Sequence, residues 1–304
     1  MSLDAQKLQQ IKRLDGILDS VIKNIGQRGT APKLPTTLSA IDDCLWGVHK
    51  KEVLVIGARP GEGKSAISGE IGWNLANANK RVAFLSLEMS TEQMVERLLS
   101  NVMEINNVEL RKGVVTEEIK YKMESFKKVV KQVPLLITDN IGYSIEEVED
   151  LIQRLDPPID VLILDYIQLC RLGKFSKRLD AITEYMRGMK EMSVKYNFAA
   201  IVCSQINRVA TDRKNKRPML QDLKGSGSIE ETADAVMLLY WPYNNEQGVD
   251  PERFEILVEK QRHGPIGHVE VNFTPQYYKF SDRDITYKIP DKTPNPVNTS
   301  WENR

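Results

Sequence analysis

The residues from Gly57 to Ser65, which read GARPGEGKS, have the types and spacing needed to hold the phosphates of a nucleotide. They are similar to the pattern G-x-x-x-x-G-K-[ST], with Ala58 at the position of its first glycine and Gly57 one residue earlier. In this pattern, glycines let backbone N–H groups turn toward the phosphates. In this pattern the lysine reaches the β- and γ-phosphates and the hydroxyl binds Mg²⁺, which predicts those functions for Lys64 and Ser65. The alternative is a glycine turn that binds no ligand. The predicted nucleotide-binding residues are Gly57, Ala58, Arg59, Pro60, Gly61, Glu62, Gly63, Lys64, Ser65 and Ala66.

Two carboxylates at the ends of apolar runs are candidates for holding the metal ion. Asp165 ends the run VLILD, and Asp139 ends the run LLITD. An acid at the end of such a strand can lie beside the phosphate loop and hold the water shell of Mg²⁺. The run before Asp165 is the more uniformly apolar, so we prefer Asp165 and keep Asp139 as its rival. The predicted metal-binding residues are therefore Ser65 and Asp165.

Two further polar residues, Glu88 and Gln205, follow apolar runs and could act on the γ-phosphate. Glu88 lies in FLSLEM, just past a predicted strand that we expect to neighbour the strand of the phosphate loop. A carboxylate there can orient and deprotonate the attacking water, although it could equally be the acid at the start of the next helix. Gln205 ends AIVCSQ, where an amide can sense the γ-phosphate or be an ordinary polar strand end.

Basic side chains cluster at three places along the chain. The first cluster comprises Arg208, Arg213, Lys214, Lys216 and Arg217, followed by LKGSGS at 223–228, and the second comprises Arg171, Lys174, Lys177 and Arg178. Cations beside flexible glycines suit contact with nucleic-acid phosphates, but a charged run is also typical of a solvated face. Few aromatics are interleaved, which argues against base stacking as the main binding mode. The third cluster lies in the stretch KQRHGP. Its Lys260 and Arg262 could reach a neighbouring subunit's γ-phosphate.

The elements that must position these residues alternate between apolar strands and amphipathic helices. Strands are predicted at 52–57, 81–87, 134–138, 160–165 and 198–204, and helices at 66–78, 116–132, 144–155 and 179–196. This alternation predicts a parallel sheet with helices on both faces. The later segments 234–241, 253–260, 267–273 and 277–281 are short and β-rich, which predicts antiparallel additions to the same sheet.

The two ends of the chain differ from this central part. Residues 4 to about 26 have apolar side chains at helical spacing, and Gly26 ends the pattern before a linker that reads QRGTAPKLP. This helix could dock on its own domain, dock on a neighbouring subunit, or remain from an upstream domain. The tail from Asp282 onward is polar and rich in proline. The predicted units are therefore 1–33, 34–281 and 282–304.

Composition narrows the class of protein. The chain has 304 residues, with 42 Lys plus Arg and 42 Asp plus Glu, so its formal net charge is zero. Net charge therefore does not indicate a nucleic-acid partner. Three widely spaced cysteines, Cys44, Cys170 and Cys203, indicate reduced thiols rather than a disulfide framework. We find no apolar run of membrane-spanning length and no signal-peptide pattern, so we expect a cytoplasmic protein with no membrane partner.

Taken together, the motifs resemble the C-terminal motor domain of replicative DNA helicases of the DnaB family. The matching stretches are LPTTLSAIDD, GARPGEGKS, FLSLEMS, ILDYIQL, SQINR, RPMLQDLKGSGSIEETAD and EKQRHGPIG, in the family's order between about Leu34 and Phe280. The resemblance implies an α/β fold of the RecA-like P-loop type, with a mainly parallel sheet and C-terminal antiparallel strands. It covers most of the chain, and SLEM, DYIQL and the SGSIE segment are its most specific parts.

The resemblance also implies functions for single residues. Glu88 would be the catalytic base, Lys64 would bind phosphate, and Gln205 would sense the γ-phosphate. Lys260 and Arg262 would act on ATP held by the adjacent subunit. The implied cofactors are ATP and Mg²⁺, and the implied partners are single-stranded DNA, further copies of this chain in a hexameric ring, a primase and a helicase loader. The residues predicted to contact DNA are Arg208, Arg217, Lys224, Gly225 and Gly227.

The resemblance further implies movement 5′-to-3′ along single-stranded DNA, with strand separation driven by ATP hydrolysis. The chain departs from the family's pattern in three ways: it lacks the usual helical N-terminal domain, has Lys224-Gly225 where Arg-Glu is frequent, and has Glu62 in the phosphate loop. Two other functions stay open at this point. One is a RecA-like recombinase or an ATP-gated filament that coats DNA, and the other is a signalling ATPase that does not bind DNA.

Overall fold

The computed structural model describes residues 13–26, 34–139, 142–171, 177–207 and 216–283. Its α-helices are α1 (Leu14–Gly26), α2 (Ser39–Leu45), α3 (Lys64–Asn77), α4 (Thr91–Met103), α5 (Asn107–Arg111), α6 (Glu117–Val130), α7 (Ile145–Arg154), α8 (Arg178–Lys195) and α9 (Ser226–Thr232). Its strands are β1 (Val53–Ala58), β2 (Val82–Ser86), β3 (Leu135–Thr138), β4 (Val161–Asp165), β5 (Ala199–Gln205), β6 (Ala235–Tyr240), β7 (Arg253–Gln261), β8 (Gly267–Thr274) and β9 (Lys279–Asp282).

The described strands form a single sheet in the order β3-β2-β4-β5-β1-β6-β7-β8-β9. Every neighbouring pair from β3 to β6 is parallel, and β7, β8 and β9 continue the sheet in antiparallel fashion. This confirms the predicted α/β class, with a mainly parallel sheet and antiparallel C-terminal strands. The carboxyl ends of the parallel strands meet at one edge, which is where ligands bind in sheets of this type.

Two expectations about the sheet are wrong. The segment predicted at 234–241 is not an antiparallel addition, because β6 runs parallel to β1, with Leu54 opposite Ala235. The chain returns to this position through α9, whose seven residues are too few to show a helical period in the sequence. The strand before Glu88 does not neighbour the strand of the phosphate loop either, since β4 and β5 lie between β2 and β1.

Helices cover both faces of the sheet, and β1 shows how its residues divide between the two cores. Leu54 belongs to the same buried cluster as Ile67 of α3, whereas Val55 belongs to the cluster that contains Met186 of α8. Successive side chains of a strand point to opposite faces, so an apolar run without polar alternation is expected for a strand buried on both sides. The strand that leads into the phosphate loop is therefore packed on both faces.

Helix α1 leaves its apolar side uncovered by the described part of the chain. Docking on its own domain, one of the three alternatives for this helix, is therefore not seen in the structure. Residues 4–12 of the predicted helix, the linker 27–33 and the tail from 284 lie outside the described residues. The exposed apolar side chains of α1 are Leu14, Leu18, Val21, Ile22 and Ile25.

Two further features concern the cysteines and the length of the helices. Cys44, Cys170 and Cys203 are buried and form no disulfide, and burial raises the pKa of Cys170 to about 12. A thiol with so high a pKa stays protonated and is a poor nucleophile. Among the described helices, none combines the length and the apolar character that a membrane span requires.

Candidate nucleotide-binding site

A cavity of about 330 Å³ lies at the carboxyl edge of the parallel strands, around the phosphate loop. The loop, the ends of β4 and β5 and the segments after β2 and β8 all contribute to its wall. The lining residues are Arg59, Pro60, Gly61, Gly63, Lys64, Ser65, Ala66, Glu88, Met89, Arg97, Tyr166, Gln205, Trp241, Phe273, Pro275 and Tyr278. Three residues predicted to bind nucleotide, Gly57, Ala58 and Glu62, lie outside this lining.

The glycines of the loop serve different purposes. A Cβ at Gly57 would lie 2.5 Å from Leu223 and 2.6 Å from Leu238, so a side chain there would clash with the core beneath the loop. Gly63 has a φ of +74°, a left-handed conformation that favours glycine, and it caps the first turn of α3. The helix therefore begins at Lys64, with its free backbone N–H groups facing the cavity, where its dipole favours anions.

Lys64 is the centre of the charged part of the cavity. Its ammonium contacts the Asp165 carboxylate, lies 3.7 Å from the Glu88 carboxylate and lies 4.1 Å from the ring centre of Tyr166. Burial, the largest single influence, would lower the pKa of Lys64, but the charge and hydrogen bond of Asp165, together with smaller contributions that include Glu88, outweigh burial and raise it. Lys64 is therefore a fixed cation at the position where phosphate oxygens are expected.

The two rival carboxylates have different partners. Asp165, which is 2 % exposed at the end of β4, contacts Lys64 inside the cavity. Asp139 instead accepts hydrogen bonds from the Thr91 backbone N–H at 2.9 Å and from the Thr91 hydroxyl at 3.3 Å. The Thr91 N–H lowers the pKa of Asp139, as expected for an acid at the first turn of α4. The geometry thus brings Asp165, and not Asp139, to the phosphate loop.

Glu88 reaches the cavity by a route that differs from the expected one. β2 pairs with β4, with Ser86 opposite Asp165, and the Leu87 N–H donates to the Asp165 carbonyl at 2.7 Å. Glu88 therefore emerges beside Asp165 rather than beside β1. Its side chain is 51 % exposed, which leaves the carboxylate open to solvent water. A half-exposed acid near a fixed cation is well placed to orient a water molecule.

Gln205 connects the cavity to the residues after the basic cluster. It lines the cavity at the end of β5, and its side-chain oxygen accepts a hydrogen bond from Lys224 Nζ at 3.3 Å. Gln168 of the DYIQL stretch binds the backbone of both Gln205 and Lys224. No function was predicted for this residue. Its amide oxygen accepts from the Gln205 N–H at 3.0 Å, and its amide nitrogen donates to the Lys224 carbonyl at 3.2 Å and to Ser204 Oγ at 2.8 Å.

The residues predicted to contact DNA fall into three groups. Arg208 lies outside the described residues. Lys224, Gly225 and Gly227 lie at the start of α9, where Gly227 is exposed. Arg217 makes two hydrogen bonds of 2.7 Å to the buried carboxylate of Glu255.

Glu255 is surrounded by cationic side chains. Burial alone would raise the pKa of Glu255, but His268, 3.4 Å away, and the hydrogen bonds from Arg217 lower it to about 2. Arg253 lies 3.0 Å from Glu255 and 2.8 Å from Glu270. Glu255, His268 and Glu270 are close enough to share a metal ion, but the two arginines already neutralise both carboxylates, so we do not assign a metal there.

Lys260 and Arg262 point away from the cavity of their own subunit. The Lys260 ammonium contacts the Glu230 carbonyl, and Arg262 donates to the Glu231 carbonyl at 3.0 Å. Arg262 also forms an ion pair of 3.1 Å with Asp234, whose other oxygen accepts from the Val53 N–H at 2.8 Å and from Lys190 at 2.7 Å. Neither cation is among the residues that line the cavity.

The apolar end of the cavity was not predicted from the sequence. Trp241, Phe273 and Tyr278 come from the segments that follow β6 and from the β8–β9 hairpin, and Arg97 of α4 lies 4.9 Å above the Tyr278 ring centre. Aromatic faces and a guanidinium plane are suited to a flat base next to a phosphate site. These residues carry no motif, and their position depends on strand order, so spacing could not reveal them.

Comparison with known proteins gives a consistent result. The family model of the DnaB-like helicase C-terminal domain matches residues 33–282. A replicative DNA helicase DnaB of Geobacillus stearothermophilus is 32 % identical over 279 residues, which cover 88 % of this chain and 62 % of that protein. The chain therefore spans less than two thirds of the length of this relative.

Solved structures agree with the family model. A structure described as an ATPase domain superposes with a TM-score of 0.84 and 25 % identity, covering 90 % of this chain and 100 % of that one. A structure described as a DnaB-like replicative helicase and its interactions with primase has a TM-score of 0.82 at 24 % identity, covering 92 % of this chain and 70 % of that one, and shows the fold. With its phosphate loop, its strand order and these matches, the chain belongs to the family of DnaB-like helicase C-terminal domains.

Proposed function

We propose that this chain is the ATP-hydrolysing motor of a cytoplasmic replicative DNA helicase that moves 5′-to-3′ along single-stranded DNA and separates the duplex. The observation that carries the proposal is the meeting of Lys64, Asp165 and Glu88 in one cavity that contacts Lys224 through Gln205. Membership of the DnaB-like family supports it, because the matched relatives are replicative helicases.

The chemistry of the site follows from the positions of its charges. Lys64 would bind the β- and γ-phosphates, and Glu88 would orient a water molecule and accept its proton. Ser65 and Asp165 offer a hydroxyl and a carboxylate oxygen, the ligand types that Mg²⁺ prefers, and the ion would neutralise charge on the phosphates. Trp241 and the aromatic residues near it would hold the base.

Coupling to DNA would run through hydrogen bonds that the side chains already make. Gln205 lines the cavity and binds Lys224, and Gln168 fixes the backbone of both residues. A γ-phosphate that attracts the Gln205 amide would therefore shift Lys224 and the glycines after it. We assign Lys224, Gly225 and Gly227 to the phosphates of single-stranded DNA, because one cation and open backbone suit a contact that reads no sequence.

Completion of the active site would require a second copy of this chain. Lys260 and Arg262 lie outside their own cavity, and they are the basic residues that we assign to a neighbour's γ-phosphate. The exposed apolar face of α1 supports assembly, since a helix with such a face is stabilised by docking on another surface. We propose a hexameric ring, with a primase and a helicase loader as further partners.

Replacement of the phosphate-loop lysine tests the proposed function. In Lys64→Ala, ATP hydrolysis stimulated by single-stranded DNA and unwinding of a forked duplex should both fall by at least about 100-fold, because a fixed charge at the phosphates is lost. Lys128 is an exposed lysine on α6, and the variant Lys128→Ala is the matched control, which should retain both activities. Normal hydrolysis by Lys64→Ala would contradict the site.

The same preparations separate the other two functions. Filaments of variable length on DNA in electron micrographs, together with hydrolysis but no unwinding, would favour a recombinase-like protein. Hydrolysis that does not respond to DNA, combined with no salt-dependent DNA binding, would favour a signalling ATPase. Closed rings with DNA-stimulated hydrolysis and unwinding are the expected result.

A further inference from the structure

Asn245, which follows a short 3₁₀ turn after β6, binds two residues of the phosphate loop at once. Arg59 Nη1 donates to Asn245 Oδ1 at 2.8 Å, and Asn245 Nδ2 donates to Glu62 Oε1 at 2.7 Å. Arg59 and Glu62 are 7 % and 3 % exposed, and their charged groups are 3.9 Å apart. We call Arg59, Glu62 and Asn245 the clasp.

The clasp also holds the main chain at Lys216, a residue of the first basic cluster. The second terminal nitrogen of Arg59 donates to the Lys216 carbonyl at 2.6 Å, and Lys216 Nζ donates to the Asn245 carbonyl at 2.7 Å. The next residue, Arg217, is fixed to Glu255. A single guanidinium therefore touches the nucleotide cavity, Asn245 and the main chain at Lys216.

The physical cost of the clasp indicates that it does more than fill space. A buried carboxylate is costly unless it is hydrogen-bonded, and burial raises the pKa of Glu62 while Asn245 and Arg59 oppose this rise. Apolar side chains could fill the same volume at lower cost. What a polar cluster provides is a fixed arrangement, here of the phosphate loop relative to Lys216.

We propose that Glu62 and Asn245 are positioning residues that act through Arg59 and make the response of ATP hydrolysis to DNA depend on the phosphate loop. This inference rests on the proposed function. Neither Glu62 nor Asn245 lines the cavity, whereas Arg59, which Asn245 binds, does. The clasp would be a second connection between nucleotide and DNA, in addition to the contact between Gln205 and Lys224.

An exchange of donor and acceptor tests the clasp. Asn245→Asp replaces the amide donor with an acceptor, so that its carboxylate faces the carboxylate of Glu62. The double variant E62Q/N245D restores one donor and one acceptor, and it keeps an oxygen at position 245 for Arg59. Asn244→Asp, an exposed change in the adjacent residue, is the control for added charge. The measurements are kcat and KM for ATP with and without oligo-dT, and the thermal midpoint of each variant.

In Asn245→Asp, stimulation of kcat by oligo-dT should fall about tenfold, the loss expected for a hydrogen bond to a charged group. Its kcat without DNA should stay within about threefold of the wild type, since no group at the reacting atoms changes. E62Q/N245D should recover most of the stimulation. If Asn245→Asp does not fold, Asn245→Ala, which adds no charge, is measured in its place.

Three results would overturn the inference. One is full stimulation in Asn245→Asp, a second is no recovery in the double variant, and a third is an equal fall of kcat with and without DNA, which would mean that the clasp only shapes the loop. A wild-type chain that hydrolyses ATP without any response to DNA would contradict the proposed function, and the inference with it. If DNA stimulates ATP hydrolysis by the wild type but not by the folded variants, the proposed function stands and the inference is tested separately from it.

Discussion

At the scale of single residues, Lys64 and Arg217 show that two cations of one chain are used in different ways. Lys64 is 8 % exposed and contacts Asp165, with Glu88 nearby, so its charge is fixed before a phosphate arrives. Arg217 is bound through two hydrogen bonds to the buried carboxylate of Glu255, which neutralises its charge within the fold. The sequence marks both as candidates, but only the structure reveals the partner that each already has.

The rival acids can be separated by a pair of isosteric changes. Asp165→Asn should lower ATP hydrolysis by on the order of 100-fold or more, because the carboxylate at the phosphate loop is lost. Asp139→Asn should leave hydrolysis near the wild-type rate and cost less than about 1 kcal/mol of stability, because it only weakens the start of α4. Steady-state hydrolysis and thermal unfolding of both variants give the comparison. Equal loss of activity would favour Asp139 as an additional ligand.

Arg217 and Lys224 should behave differently when each is replaced by alanine. Arg217→Ala should lower the unfolding free energy by roughly 2 kcal/mol, since Glu255 loses one partner but keeps Arg253 and His268. Lys224→Ala, a side chain with one hydrogen bond of 3.3 Å, should leave stability unchanged and weaken DNA binding. Urea unfolding and DNA affinity at two salt concentrations measure both effects. A stable Arg217→Ala that binds DNA poorly would show that Arg217 serves DNA rather than the fold.

At the scale of elements, α3 joins the phosphate loop to the C-terminal strands. Its Glu70 is buried, and one carboxylate oxygen accepts from the Phe280 N–H at 2.7 Å and from Asn101 at 3.3 Å. Burial raises the pKa of Glu70 to about 7, in spite of both hydrogen bonds. The helix that begins at Lys64 thus carries, less than two turns later, an acid whose ionisation costs folding energy.

The sign of this effect on stability can be predicted. Glu70 takes up its proton near pH 7 in the folded chain and near pH 4.5 when unfolded, so its contribution to stability is lost as pH rises between these values. Glu70→Gln keeps an oxygen for both hydrogen bonds and should be more stable than the wild type at pH 8, by up to about 3 kcal/mol. Below pH 4.5 the difference should disappear. Urea unfolding from about pH 4 to 8, with the exposed Glu96→Gln as control, checks this; a constant difference would contradict it.

How far the sequence determines the elements depends on the range of their contacts. Buried apolar runs and the loop pattern predict β1, β2, β3, β4 and β5 closely, because these signals are local. The position of Glu88 beside Asp165 depends on β2 pairing with β4, and the parallel direction of β6 depends on a crossover through α9. Such pairings are decided by long-range packing, which no period in one sequence records. Asn245 and Gln168 were missed for the same reason.

At the scale of the whole molecule, the site is divided between copies if Lys260 and Arg262 act on a neighbour. An isolated subunit should then bind ATP and hydrolyse it slowly. Mass measured in solution with ATP and single-stranded DNA should correspond to a ring, and dilution to the monomer should reduce hydrolysis per subunit. Constant specific activity across the transition would contradict a shared site.

Mixing two inactive variants gives a stricter test of sharing. A Lys64→Ala subunit has an inactive phosphate loop but retains Arg262. An Arg262→Ala subunit has an intact phosphate loop but lacks the arginine. In random mixed rings about a quarter of the sites should be complete and regain hydrolysis, because one subunit supplies the loop and the next supplies the arginine. Each variant alone is the control. Mixtures no more active than the separate variants would show that Arg262 serves its own subunit.

Asp234 has a consequence for timing between sites. The same buried carboxylate binds the first residue of β1, the strand that ends in the phosphate loop, and the guanidinium of Arg262. If Arg262 is drawn toward the nucleotide of the next subunit, Asp234 loses a partner at the point where its own loop strand is anchored. The contacts of Asp234 in each subunit would then depend on whether the adjacent site holds nucleotide. The subunits of a ring would therefore hydrolyse ATP in succession rather than independently.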